Sequence, residues 1–161
     1  AMTKRIYKTG VVVVVLRGRH AGRKAVILRS FETGTRDRAF PHAVIVGIDQ
    51  APQKVTRAMQ KWDEKHPDKK GKVAARTRVR GLFVKYVNLN HVMPTRYNLD
   101  ISGKLSTIFD DETLSKEEGL RAAKAEAQKT LQSRYYNLES ASSSDRKLAA
   151  AKYFFQKLRF Q

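Results

Sequence analysis

The 161-residue chain carries 33 lysines and arginines against 15 aspartates and glutamates, a formal charge of +18. A field this strong repels itself unless a polyanion offsets it, and phosphate backbones are the commonest such partner. The lack of cysteine excludes disulfides and thiolate metal sites, and the longest apolar run, residues 11–16, falls far short of the roughly 20 residues that span a bilayer.

The basic start (Lys4, Arg5, Lys8) followed by valines imitates a secretory signal. Its apolar stretch is too short, however, and Arg17-Gly18-Arg19 stands where a small-residue cleavage site belongs. A soluble, intracellular protein is the expectation. The charge is uneven: residues 1–40 carry ten basic and two acidic side chains, residues 41–100 twelve and five, and residues 101–161 eleven and eight. The first hundred residues therefore generate most of the field.

Residues 11–16 (VVVVVL) form a run of stiff β-branched side chains, the right length for a buried strand. Residues 25–28 (AVIL), 43–46 (AVIV) and 82–87 (LFVKYV) predict three more. Short strands with glycine-bearing connections favour a small barrel or sandwich, and a barrel hides sheet edges. Between the first two strands lies a loop containing Gly18 and Gly22, residues that can take positive φ and turn the chain sharply. Arg17, Arg19, His20, Arg23 and Lys24 crowd its tip. Guanidinium groups and exposed amides at a rigid tip suit phosphate contacts. A solvated hairpin end is the plainer alternative.

Further along, Lys54 and Arg57 precede a polar insertion, residues 60–72, that reads as a helical turn ending before Pro67 and a loop beyond it. Lys69, Lys70, Lys72, Arg76, Arg78 and Arg80 then form a basic string. On an extended segment Arg76, Arg78 and Arg80 would share one face, an arrangement that is costly unless phosphates lie opposite. Asn90, His91, Thr95, Arg96 and Tyr97 form a polar turn around Pro94.

From Ser115 the period becomes helical. Residues 115–118 (SKEE) read as a capping box, and Leu120, Ala123, Ala127, Leu131, Tyr135 and Leu138 make one apolar stripe. Glu117 and Arg121 support the exposed face. A serine-rich linker at residues 140–144 leads to a second short helix from about Asp145. That helix ends near Tyr153, Phe154 and Phe155, with Lys157 and Arg159 beyond. Phe154, Phe155 and Phe160 could stack on bases, but core packing is the commoner fate, and it is expected at least for Phe155. Trp62 is expected to pack locally.

No catalytic constellation emerges. His20, His42, His66 and His91 lack metal-ligand spacing, and the loop at residues 18–24 lacks the Gly-Lys-Ser/Thr ending of a nucleotide-cradling loop. Asp110, Asp111 and Glu112 sit before a predicted helix, where its dipole favours carboxylates. No enzyme activity, cofactor, metal or small-molecule substrate is expected.

Residues 10–28 (GVVVVVLRGRHAGRKAVIL) look like a KOW motif, a strand-loop-strand unit. Residues 40–49 (FPHAVIVGID), 52–56 (PQKVT), 76–80 (RTRVR), 83–88 (FVKYVN), 90–97 (NHVMPTRY) and 154–160 (FFQKLRF) follow in order. Together they resemble the eukaryotic large-subunit ribosomal protein family numbered twenty-seven. The resemblance implies an α+β architecture. An SH3-like barrel over residues 1–100 would lie in large-subunit ribosomal RNA, with a helical extension over residues 101–161. RNA contacts are expected from the basic loop residues above, Lys54, Arg57, the basic string, Asn90, His91, Thr95, Arg96, Tyr97, Lys157 and Arg159. It implies a structural protein that supports subunit assembly and translation in the cytoplasm, with assembly in the nucleolus. The rival readings are a non-ribosomal KOW module that binds RNA and, more remotely, an enzyme acting on RNA.

Residues 60–70 look longer than the family's short basic connection, and residues 111–150 look more acidic than its basic helix. Because the apolar stripe of residues 115–161 needs a cover, that segment is expected to dock on a neighbouring ribosomal protein or RNA surface and to be loosely held in the free chain.

Overall fold

The computed structural model describes residues 6–69, 71–100, 102–138 and 145–158. The three N-terminal apolar runs become β1 (Val11–Val15), β2 (Lys24–Phe31) and β3 (His42–Gln50), and β4 (Arg80–Asn88) is the fourth strand. β5 (Val92–Asn98) follows a 3-10 turn at Leu89–His91. The five make one antiparallel sheet in the order β4-β3-β2-β1-β5. No ladder joins β4 to β5 among the described residues, so the sheet is open by its hydrogen bonding.

β5 corrects the sequence reading, which took its residues for a turn around Pro94. Proline is tolerated in an edge strand, where its missing N–H faces outward, and β5 is such an edge. Val11 pairs with Asn98 and Val13 with Pro94, so two steps on β1 are matched by four on β5. At this bulge the Thr95 hydroxyl donates to the Val12 carbonyl at 2.6 Å, satisfying an acceptor the ladder leaves open.

Both faces of the central strands are buried. One cluster contains Val13, Val15, Ala25, Ile27, Ala43, Ile45, Phe83, Val87, Leu89 and Val92, without a helical residue apart from the short turn's Leu89. Val13, Ala25, Ile27, Ala43 and Ile45 are nevertheless fully shielded. At Gly47 the ring of Phe83 lies so close that an added Cβ would meet it at 2.2 Å. That ring stacks in turn on His20 at 4.0 Å.

The opposite face supplies Val12, Val26, Leu28, Val44, Val46 and Ile48 to a second cluster, closed by helices. α3 (Ser102–Ile108) brings Leu105, with Phe109 just beyond it. α5 (Glu117–Tyr136) brings Ala123, Ala127 and Leu131, and α6 (Asp145–Phe155) brings Ala151, Phe154 and Phe155. Leu120, Tyr135 and Leu138 pack at its margin. The stripe at residues 120–138 is thus helical as expected, but its cover is this chain's own sheet. The expected docking of that stripe on a neighbour is corrected accordingly.

α5 starts at Glu117, with Lys116 in the cap position, because Ser115 already closes the short α4 (Asp111–Ser115). The helix thus starts one residue later than a capping box at Ser115 requires, and the N-cap Lys116 makes no side-chain cap hydrogen bond. Gln128 and Gln132, one turn apart on α5, clasp the segment ahead of β4. Gln128 Nε2 donates to Val79 O at 2.7 Å, and Gln132 Oε1 accepts from Val79 N at 2.7 Å. Arg134 Nη2 meets Asp100 Oδ2 at 3.1 Å, tying α5 to the end of β5.

Lys24 fastens α6. The side chain is almost wholly buried, and its Nζ donates to the carbonyls of Tyr153 and Gln156, the latter at 2.6 Å. It also lies 3.9 Å from the centre of the Tyr153 ring. A cation is favoured there because the last turn of a helix exposes unpaired carbonyls and the negative end of its dipole. Burial lowers its pKa from 10.5 to about 8, which leaves the amine largely protonated at neutral pH.

Residues 57–76 form a separate feature. α1 (Arg57–Lys65) and α2 (Lys72–Arg76) contain no buried residue. They are joined by Asp63, whose carboxylate accepts from Lys72 N at 2.7 Å and Val73 N at 2.9 Å. Trp62 stacks on His66 at 4.6 Å and under Lys72 Nζ at 3.8 Å, the local packing expected of it.

Two outcomes follow from this packing. Leu131→Ala should cost about 2–5 kcal/mol in urea unfolding, and α5 amides should be protected from hydrogen exchange in the isolated chain. Rapid exchange along α5 would refute its place in the core. Lys24 gives a pH signature. Below pH 8 both folded and unfolded chains carry its charge, and the folded chain bears the full desolvation cost. Between pH 8 and 10.5 only the unfolded chain retains the proton, so this group's contribution to stability rises with pH, by about 3 kcal/mol across the window. Urea midpoints at pH 7 and pH 10 should show that increment in the parent and not in Lys24→Met.

Candidate nucleic-acid interface

Two-sided burial leaves the apolar stretches of β1, β2 and β3 no room for solvated cations, so most basic side chains emerge from loops, strand ends, the edge strands β4 and β5 and helix surfaces. The β1–β2 loop is built as its glycines require: Gly18 and Gly22 have φ of 90° and 76°. Gly22 N donates to Val15 O at 2.7 Å and Ala21 N to Gly18 O at 3.0 Å. Arg17 and Arg19 are exposed at its tip.

Other members of that expected cluster turn inward. Arg23 Nε lies 3.3 Å and His20 Nδ1 3.4 Å from Asp49 Oδ1, and His20 is sandwiched on Phe83. Lys24 is the buried fastener of α6. The expected RNA contact by Lys24 is thus corrected, since its amine serves helix carbonyls. Asp49 offsets part of the charge of Arg23, so Arg17 and Arg19 dominate the tip.

Around that tip the fold assembles cations that are distant in sequence. An open groove of about 360 Å³ is lined by Arg17, Arg38, Phe40, Lys85, Tyr86 and His91, among others. A second, of about 570 Å³, adjoins it through Lys85 and adds Arg19, His20 and Lys124 of α5. A third, of about 680 Å³, joins Lys54, Arg76, Lys152 and Lys157 with Pro52, Tyr135, Leu138 and Phe155. A fourth, of about 640 Å³ along α5, pairs Arg78 with Lys129 beside Tyr136. Among the described residues, no carboxylate lines any of the four.

Arg38, Lys85, Lys124, Lys129 and Lys152 escaped the sequence reading. Lys85 interrupts an apolar run that signals only a strand. The three helical lysines lie in a segment whose overall charge is nearly balanced, and only the helical period, which separates its faces, could have drawn attention to them.

The remaining candidates are scattered. Arg57, Lys69 and Lys72 are exposed on the α1–α2 feature. Arg78 and Arg80 are exposed, alternating with buried Thr77 and Val79. Arg76 ends α2 rather than extending their row, which corrects the three-arginine face, and its Nη1 lies 3.6 Å from Met59 Sδ. Asn90 and Arg96 are exposed, and His91 is half-buried in the first groove. Thr95 is engaged at the bulge. Tyr97 stacks on Tyr153 at 4.3 Å, so both belong to the packing of α6. Phe154 and Phe155 are core residues, as expected for Phe155. Lys70, Arg159, Phe160 and the linker at residues 140–144 lie outside the described residues.

Comparison with known proteins gives this basic, helix-backed sheet its relatives. Residues 12–161 match the ribosomal L27e protein family. The large ribosomal subunit protein eL27 of Tetrahymena thermophila is 40% identical over 155 residues, covering 95% of this chain and 96% of that protein. The match runs through residues 60–70 and 111–150, the two segments that looked foreign to the family. The chain belongs to the ribosomal L27e protein family.

Proposed function

We propose that this protein is a structural constituent of the large ribosomal subunit that clamps ribosomal RNA through the cations surrounding the β1–β2 loop and Lys85. It is a ribosomal structural protein and not an enzyme. One observation carries the RNA reading: Arg17, Arg19, Arg38, Lys85 and Lys124 come from three loops or strands and a helix to line adjoining grooves that, among the described residues, hold no carboxylate. Converging cations of this kind are self-repulsive until phosphates neutralise them. Most such contacts position the protein on RNA backbone and shape rather than read base sequence.

The finer architectural reading is an SH3-like barrel bearing a KOW motif. Three features support it. The first four strands form a meander, and β5 returns to pair with β1. The β1–β2 connection is a basic loop with two positive-φ glycines. One sheet face is buried without a helix layer to cover it among the described residues, as happens when a sheet coils over itself. The α5–α6 layer gives the barrel its extension. The groove at Lys54, Arg76, Lys152 and Lys157 is the best surface for a neighbouring ribosomal protein or a further stretch of RNA, given its aromatic and basic lining. Action in the cytoplasmic ribosome, after incorporation in the nucleolus, completes the reading. No helix among the described residues is long and apolar enough to cross a membrane.

Stoichiometric sedimentation of the tagged chain with large subunits is the direct test, and its absence from them would sink the proposal. Binding of the isolated chain to large-subunit RNA should weaken about a thousandfold or more between 50 and 200 mM salt if some 6–10 phosphates are engaged. Replacing Arg17 and Arg19 by alanine should lower the slope by about two counterions. An unchanged slope would mean that the tip faces solvent.

A further inference from the structure

The groove at Arg17, Arg38, Phe40, Lys85, Tyr86 and His91 has a composition that phosphate binding alone does not explain. Lysines and arginines on a convex surface suffice to hold a duplex backbone. Here two aromatic rings line a concavity, and one of them is poorly accounted for by the fold. Phe40 is 42% exposed, although its side chain is among the costlier ones to leave in water.

Its position is not accidental slack. The Phe40 carbonyl accepts from His42 Nδ1 at 2.8 Å, and the buried His42 ring stacks on Phe31 at 4.9 Å and meets Phe40 edge-on at 5.7 Å. Because a carbonyl only accepts, this contact fixes the proton on Nδ1 of His42. Beside it the Arg38 guanidinium sits over the Tyr86 ring, 4.1 Å from its centre. Arg38 is in turn held by a closed turn, with Thr35 N donating to Arg38 O at 2.8 Å and Arg38 N to Thr35 O at 3.1 Å. The groove thus presents an exposed phenyl ring, a guanidinium group over a phenol ring, and flanking cations at Arg17 and Lys85.

We infer that this groove receives one unpaired nucleotide of ribosomal RNA, its base stacking on Phe40 or the Arg38–Tyr86 platform and its flanking phosphates meeting Arg17 and Lys85. The inference rests on the RNA-binding reading above and adds the class of nucleotide bound. Unstacked bases are recognised on aromatic rings and arginine planes, whereas bases within an A-form helix offer no free π-face. A volume of about 360 Å³ suits a single small ligand rather than a duplex. The absence of carboxylates from the lining suits a polyanion. An apolar side chain of a neighbouring protein would fill the cleft but would leave the flanking cations without partners.

The full-length chain is tested against a 12-nucleotide single-stranded RNA and a duplex of the same length across a salt series. Phe40→Ala should weaken single-strand binding by roughly 5- to 100-fold, leave duplex binding within about twofold, and leave the salt slope unchanged, because no phosphate contact is lost. Phe40→Tyr should restore single-strand binding, and its melting curve guards against misfolding of the alanine variant. Irradiation of intact large subunits at short wavelength should yield a nucleotide adduct on the peptide bearing Phe40 or Tyr86. Equal single-strand binding by parent and Phe40→Ala would overturn the inference. So would a protein cross-link at Phe40 in place of a nucleotide adduct. If binding stays steeply salt-dependent while Phe40→Ala is silent, only this inference falls. If the parent binds no RNA, the proposed function falls with it.

Discussion

The central strands have no solvent side. Val12 through Val15, Ala25 through Leu28 and Ala43 through Val46 are all buried, one set of side chains in a cluster drawn from all five strands and the other under α3, α5 and α6. A strand in that position cannot carry a solvated cation, since an unpaired buried charge costs several kcal/mol. Lys24 shows one exception that the constraint allows: a lysine at a strand end whose amine is met by the carbonyls of Tyr153 and Gln156, at and just past the end of α6, and by an aromatic ring. Arg29, farther along β2, is met by the Phe109 carbonyl and Asp110, and the remaining basic positions among the described residues lie mostly on loop tips, edge strands and the outer surfaces of helices. The charge that composition reports as a total is thereby concentrated on the surfaces that flank the sheet.

This displacement links fold to function. The β1–β2 loop, the β2–β3 loop, the far part of β4 and one turn of α5 are separate in sequence, yet their cations line adjoining grooves. Acidic residues are spent elsewhere. Asp63 caps α2, Asp49 faces His20 and Arg23, Asp100 holds Arg134, and Asp110 meets Arg29 at 3.3 Å. Using carboxylates as internal fasteners leaves the grooves without counter-charge of their own, which is the electrostatic condition for attracting a polyanion.

The legible and illegible parts of the fold divide along physical lines. Unbroken β-branched runs identified β1, β2 and β3, because strands buried on both faces need no polar alternation. The stripe on α5 was equally plain. β5 was not, since Pro94 and its polar neighbours lie on a strand whose outer edge pairs with no strand among the described residues, and local composition there is that of a turn. The cover of α5 was missed for a different reason. The sequence shows that a stripe needs burial but not that β1–β3 expose a second apolar face. For the candidate site, Arg17, Arg19, Arg78 and Arg80 were legible as clustered cations on exposed segments. The inward turn of Lys24 depends on α6, more than a hundred residues away, and the recruitment of Lys85 and Lys124 depends on tertiary packing. Neither leaves a local trace.

Arginine footprinting tests this arrangement as a whole. A dicarbonyl reagent would be applied to the isolated chain and to intact large subunits, and modified peptides quantified by mass spectrometry. Arg17, Arg19, Arg38, Arg78 and Arg80 should react readily in the free chain and be strongly protected in the subunit. Arg121, exposed on α5 and paired at 2.8 Å with Glu117, should react similarly in both. Equal reactivity of the first group in the two states would contradict the claim that burial of the sheet's two faces drives the cations onto an RNA-binding surface.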